Sequence, residues 1–230
     1  MDNPRGPTLS LRARGPLACF TRPELKVERV SYPVMTPSAA RGLIEAILWK
    51  PAMAWHIERI KILNPIEYTS FRRNELNTRA KTPTKDTIEN GGPAPDQFIE
   101  DDHTQRNTVA LRDVDYVIDA YFTLTDQAGE RDNIYKFIDI FSRRVEKGQH
   151  FHQPYLGCRE FVAEILQADD APEPIDESRD LGIMLWDIDY SGDGNTPLFF
   201  NAALEDGVLD VPKSPNATLE DALERKGDNE

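Results

Sequence analysis

Residues that build disulfide frameworks and metal sites are scarce: the 230-residue chain has two cysteines and four histidines. Cys19 and Cys158 stand far apart, with no CxxC pair and no companion histidine cluster. That indicates neither a disulfide framework nor a zinc site, and both read as small apolar core residues. No apolar run approaches the ~18–20 residues that cross a bilayer, and the opening Met-Asp-Asn-Pro-Arg lacks the apolar stretch of a secretory signal. The expectation is a cytoplasmic protein without membrane contact. Gly157-Cys158-Arg159-Glu160 has one glycine before an expected strand, not a phosphate loop, and Cys158 has no base beside it to act as a nucleophile. Asp187-Ile188-Asp189-Tyr190-Ser191-Gly192 matches half a calcium loop, but Leu198 occupies position twelve, where a bidentate Glu is needed. His150 and His152 share one face of an extended segment without a third ligand. The expectation is therefore no cofactor and no metal.

Positive charge is scarce overall, with a net of −13, yet it is unevenly spread. Residues 1–80 carry 13 Lys and Arg against 7 Asp and Glu, whereas residues 166–230 carry 4 against 17. Salt screens fields over about 8–10 Å, so the basic N-terminal third can still present a local face to an anion. Within it, Phe20 lies among Arg22, Lys26 and Arg29. Further along, Tyr68 and Phe71 neighbour Arg72 and Arg73, with Arg106 beyond. Aromatic rings stack on bases while cations meet phosphates, which is the composition of an RNA-binding surface.

Leu9, Leu11 and Ala13 alternate with polar residues and predict a first strand. Thr36-Pro37-Ser38 opens a helix whose apolar stripe is Ala40, Leu43, Ile44, Ile47 and Leu48, and Lys50-Pro51 stops it. Residues 55–63 read as a second strand and 114–124, alternating throughout, as a long third one. Between them, residues 64–107 form an insertion rich in Thr, Asn, Pro and Gly. A second helix begins at Asp132 or Asn133, aligns Ile134, Phe137, Ile138, Phe141 and Val145, and ends at Gly148. Seven residues turn a helix by about 700°, so Lys136 and Arg143 nearly superimpose and, with Lys147, form a basic ridge. A strand over 158–166 completes the series.

The order strand, helix, strand, excursion, strand, helix, strand predicts an α+β protein with a ferredoxin-like (RRM-like) βαββαβ core over 1–168, interrupted at about 64–107. After a Pro- and Asp/Glu-rich linker at 169–180, the segments 182–190, 198–204 and 208–211, with Asp206-Gly207 at a turn, predict a small antiparallel sheet within 169–214. Residues 215–230 read as a frayed acidic tail.

Three stretches carry a family resemblance: CFTRPELKVERVSYPVMTPSAARGLIEAILWKP over 19–51, TQRNTVALRDVDYVIDAYF over 104–122, and FSRRVEKGQHFHQPYLGCREF over 141–161. They resemble, in the same order, the CRISPR-associated Cas-five family of subtype I-C (Dvulg type), a branch of the RAMP superfamily. The resemblance implies an antiviral-defence protein that cuts the repeat of CRISPR precursor RNA without metal. It would then stay on the 5′ handle of the crRNA, beside the backbone and large subunits of the surveillance complex. It also implies catalysis by a Tyr, a Lys and a His. The Tyr position falls on Leu48, directly before Trp49-Lys50-Pro51; the Lys position falls on Lys136 and the His position on Phe137. Lys136 is the retained catalytic candidate. Leu48 and Phe137 cannot transfer protons, so Tyr135, His103, His150 and His152 are the candidate helpers. The RNA-contact candidates are Phe20, Arg22, Lys26, Arg29, Arg72, Arg73, Arg106 and Arg143. Two alternatives accompany the enzyme reading: a non-catalytic subunit that grips the 5′ handle, and a general nucleic-acid binder that also takes double-stranded DNA.

Overall fold

In the computed structural model, residues 4–25, 27–79, 82–93, 98, 100, 102–190 and 194–218 are described. The chain is α+β, with a mostly antiparallel sheet and few helices. Its strands are β1 (Leu9–Ala18), β2 (Arg29–Val30), β3 (Met53–Ile62), β4 (Glu67–Leu76), β5 (His103–Leu124), β6 (Glu164–Gln167), β7 (Arg179–Asp189), β8 (Thr196–Glu205) and β9 (Val208–Asp210). The described helices are α1 (Pro37–Ile47), the short α2 (Lys85–Asn90) and α3 (Ile134–Glu146). The main strand order is β6-β1-β5-β3-β9-β8-β7, with β2 and β4 both pairing β5.

The 22-residue β5 organises the molecule. Its second half pairs antiparallel with β1 on one side and β3 on the other, while its first half pairs with β4, Leu76 opposite His103 and Glu67 opposite Arg112. The change of partner centres on Asp113, whose φ is 51° and whose carbonyl accepts a 2.7 Å bond from the Asn64 amide. The predicted insertion thus consists of β4, α2 and the start of β5, an arm hydrogen-bonded along one long strand.

Period-2 alternation gives the sheet two different faces. Tyr116, Ile118, Ala120 and Phe122 of β5 join Leu11 and Ala13 of β1 in the core beneath the helices. Asp115 and Asp119 point to the other face, where burial of a carboxylate requires partners. Arg12 grips Asp115 through two bonds of 2.6 and 3.0 Å; Lys61 and Arg59 lie 3.1 and 3.4 Å from Asp119.

α1 starts as its sequence dictates: the Thr36 hydroxyl accepts from the Ala39 N–H at 3.3 Å, and Pro37 occupies the first turn. Leu43, Ile44 and Ile47 pack into the core, each buried side chain contributing about 1.5–3 kcal/mol. α3 begins at Asn133, whose side chain accepts from the Lys136 N–H at 2.9 Å, and buries Phe137, Phe141 and Val145.

Two boundaries need correction. The strand expected over 158–166 is confined to Glu164–Gln167, because Gly157 turns the chain at φ 82°. A Cβ there would stand 2.1 Å from the Cys19 carbonyl oxygen, so the close approach to β1 requires glycine. Residues expected to fray from 215 are docked at least to Ala217, where the Asn216 and Ala217 N–H groups each donate to the Phe199 carbonyl at 3.1 Å; the rest of the expected tail, 219–230, lies outside the described residues. The three C-terminal strands are antiparallel, as expected, and continuous with the main sheet through β9 pairing β3.

Candidate nucleic-acid interface

The C-terminus of α1 leaves carbonyl oxygens that its own turns cannot satisfy. Three other segments supply the missing donors. The Phe151 and His152 N–H groups both donate to the Ala46 carbonyl, at 2.8 and 3.1 Å. The Arg144 guanidinium of α3 donates to the Ile47 carbonyl. The Trp55 indole of β3 donates to the Leu48 carbonyl at 2.8 Å. These bonds pull α1, α3 and the 149–159 connection around an open cleft of about 890 Å³. Trp49, Lys50, Arg144, Phe151, His152 and Arg159 line it, with Tyr155 at one side.

Lys136 sits at the first turn of α3, half exposed, with its ammonium 2.8 Å from Asp132. The ammonium's hydrogen bond holds the Asp132 carboxyl below its ordinary range, the Gly129 N–H and the through-space charges of Lys136 and Lys50 adding to the effect. Lys50 therefore belongs both to the cleft wall and to the field around Lys136. Leu48 and Phe137, at the Tyr and His positions of the resemblance, are completely buried. The Phe137 ring meets Phe122 edge-on at 6.1 Å. Both are core residues.

The candidate helpers separate. His152 lines the cleft, whereas His150 is exposed just before it. His103 is at the far end of the β4–β5 arm, and Tyr135 projects from α3 into solvent.

The RNA-contact candidates also divide. Phe20 is a correction: it is 2% exposed, hydrogen-bonded in place between Ser31 and Tyr32, and offers no ring face to a base. Tyr116 packs against it at 6.1 Å. Arg22 lies over the Tyr32 ring at 4.4 Å and 3.7 Å from Glu24. Lys26 lies outside the described residues. Arg29, Arg73 and Arg106 converge, but on Glu75, at 3.3, 3.4 and 3.6 Å. Glu160 adds a second carboxylate to Arg29 and Arg73. Much of this cluster's charge is therefore neutralised within the protein. Arg72, on the opposite side of β4, and Arg143 in the last turn of α3 are exposed.

Beside that cluster, Cys158 approaches the Cys19 carbonyl at 3.6 Å, and Arg29 reaches its sulfur at 3.6 Å. The Cys19 thiol, donating to Cys158, lowers the Cys158 thiol to about 6, the Arg29 charge adding to the effect, while the same contact and burial raise the Cys19 thiol. Among the described residues no group of three or more His, Cys, Asp or Glu could hold a metal ion.

Local composition does not reveal the cleft, because its walls come from positions 42–51, 144 and 151–159. The available signal was the density of aromatic and basic residues in the aperiodic stretch 149–159, together with Trp49-Lys50 just past the end of the α1 stripe.

A sequence profile of the Cas_Cas5d family, described as CRISPR-associated protein (Cas_Cas5), matches residues 8–212. The chain is 48% identical over 213 residues to the CRISPR pre-crRNA endoribonuclease Cas5d of Mannheimia succiniciproducens, covering 89% of this chain and 94% of that one. It is 39% identical over 222 residues to the protein of the same name from Thermus thermophilus, covering 89% and 91%. Among solved structures, one described as a CRISPR-associated protein superposes with a TM-score of 0.68 at 21% identity, over 93% of this chain and 96% of that one. A chain of a CRISPR RNA-guided surveillance complex gives 0.52 at 14%, over 95% and 97%. These two structural likenesses bear on fold alone.

Proposed function

Because the chain belongs to the Cas5d family of CRISPR-associated proteins, we propose that it is a metal-independent endoribonuclease that cuts the repeat of CRISPR precursor RNA and stays on the 5′ handle. The observation that carries this reading is the 48% identity, across nine-tenths of the chain, to a relative named for that activity. The fold supports it: β6-β1-β5-β3 order, with α1 between β1 and β3 and α3 between β5 and β6, fits a ferredoxin-like core over 1–168. In this reading residues 169–214 form a C-terminal extension of the sheet. The surroundings are the cytoplasm and the other subunits of a type I-C surveillance complex, backbone and large; exposed Arg72 and Arg143 could also meet duplex DNA.

Metal-free RNA cleavage uses the neighbouring 2′-OH as nucleophile. The 2′-oxygen loses its proton and bonds to phosphorus, the bond to the 5′ oxygen breaks, and that oxygen gains a proton. Products are a 2′,3′-cyclic phosphate and a 5′-hydroxyl. The protein must assist the two proton transfers and stabilise charge on the phosphate oxygens. Lys136 supplies charge, joined by Lys50. His152 is the histidine that lines the cleft, so it is assigned proton exchange.

A second reading is favoured by one observation, the burial of Leu48 and Phe137: the chain holds the 5′ handle without cutting it. One substrate separates the two. Repeat RNA should be cut at one position, and the same RNA carrying a single 2′-deoxy nucleotide at that position should bind equally well and remain intact. Equal cutting of the deoxy substrate would contradict 2′-OH attack, and no cutting of either would leave the handle-binding reading.

A further inference from the structure

Three of the chain's exposed aromatic side chains, Trp49, Phe151 and Tyr155, belong to one cleft. They are 55%, 73% and 39% exposed, so their rings are available. Scattered exposed rings are ordinary, but a cluster of large ones marks a binding surface. Each ring is mounted on restrained backbone. Trp49 follows the wholly buried Leu48; Phe151 is tied to the Ala46 carbonyl at 2.8 Å; Tyr155 pairs with Val162 in an isolated bridge. Little conformational freedom is lost when such rings meet a ligand.

The charge around the rings selects the ligand. Lys50, Arg144 and Arg159 line the cleft, and its one carboxylate, Glu45, is bound to Arg41 at 2.9 Å. The Arg144 guanidinium donates to a carbonyl, which leaves its positive charge uncancelled. Flat apolar faces bordered by cations suit a polyanion with flat bases, and a volume of about 890 Å³ accommodates more than one nucleotide. The Arg29, Arg73 and Arg106 cluster has the opposite character, with its cations committed to Glu75 and Glu160.

We infer that Trp49, Phe151 and Tyr155 form a stacking site for unpaired bases of single-stranded RNA, with Lys50, Arg144 and Arg159 holding the adjoining phosphates. This deepens the proposed function and rests on it for the identity of the RNA, but not for the stacking itself. A stacking site reads base faces and so tolerates any sequence. It would hold the strand beside Lys136 without choosing the cut.

The test uses two hexameric RNAs of equal phosphate number, oligoadenylate and its fully abasic counterpart, titrated while tryptophan fluorescence is followed. Trp55 is buried and Trp186 is half-buried and bonded to the Pro212 carbonyl at 2.9 Å, which leaves Trp49 as the exposed reporter. Oligoadenylate should quench the emission and bind at least tenfold more tightly than the abasic strand, since one base–aromatic stack is commonly worth about 5- to 150-fold in affinity. The double variant Phe151→Ala, Tyr155→Ala should lose about tenfold or more toward oligoadenylate with an unchanged salt slope. Lys50→Ala should flatten that slope by about 0.7. Equal binding of the two RNAs by the wild-type chain would overturn the inference whether or not a variant folds. So would wild-type RNA affinity in the folded double variant, the result expected if the cleft instead receives a protein subunit. Stacking without any cutting of repeat RNA would contradict the proposed function and leave this site standing.

Discussion

Lys136→Ala should lower the single-turnover rate on saturating repeat RNA by at least tenfold while leaving the melting temperature nearly unchanged. The ammonium sits at the first turn of α3, held by Asp132 at 2.8 Å and half exposed, where it can reach a phosphate without disturbing the core. Removing one pre-organised donor to a developing oxyanion typically costs about 3–4 kcal/mol, or 10²–10³ in rate. A partly exposed ion pair between the first turn of α3 and Asp132, just before its cap, contributes little to stability, so the fold loses almost nothing. Single-turnover kinetics at saturating RNA separate the rate of the bound complex from affinity. A normal bound-state rate would remove Lys136 from catalysis, and loss of binding alone would make it an RNA contact.

Its neighbour in sequence should behave in the reverse way. Phe137→Ala should destabilise the protein by about 3–5 kcal/mol, the usual cost of emptying a buried aromatic site. For a chain of this size that is roughly a 6–20 °C fall in melting temperature. Phe137 is 2% exposed and fits edge-on against Phe122, which itself packs on Trp55 at 5.2 Å. Phe137→His installs the residue type that the family resemblance implies there, yet it should also lower stability and should not raise the rate, because the imidazole would be buried in an apolar cluster rather than aimed at RNA. Calorimetry of both variants beside cleavage rates decides the matter. A rate increase in Phe137→His without loss of stability would show that position 137 faces substrate.

The contrast between adjacent residues 136 and 137 indicates what a sequence can convey. The period of α3 is visible in Ile134, Phe137, Ile138, Phe141 and Val145, and with it the outward direction of Lys136 and the inward direction of Phe137. β5 announces itself over 114–124 by the apolar series Val114, Tyr116, Ile118, Ala120 and Phe122 at every second position, and α1 by Thr36-Pro37 and its stripe. Those features depend on neighbours in sequence. Phe20 is different: its cationic neighbours suggest a surface, but its direction is fixed by Ser31 and Tyr32, which hold the backbone of residue 20 from eleven and twelve residues away. Glu75 and Glu160 likewise meet Arg29, Arg73 and Arg106 through strand pairing and a loop contact that no local pattern encodes. The cleft beside α1 has the same origin, since its rings come together through hydrogen bonds to orphan carbonyls at a helix end. The joining of β9 to β3, and the shortening of the strand after Gly157, also follow from contacts distant in sequence.

Leu48 and Phe137 fill two positions where the family resemblance implies Tyr and His, so in the proposed reading other side chains of this chain carry the 2′-OH attack. The most direct measurement is incubation of the purified protein with its cognate repeat RNA in excess EDTA, followed by analysis of the product ends. Undiminished single-site cleavage is expected, with a 2′,3′-cyclic phosphate or its opened form on the upstream fragment and a 5′-hydroxyl on the downstream one. Activity that disappears in EDTA and returns with magnesium or manganese, leaving a 3′-hydroxyl and a 5′-phosphate, would contradict it.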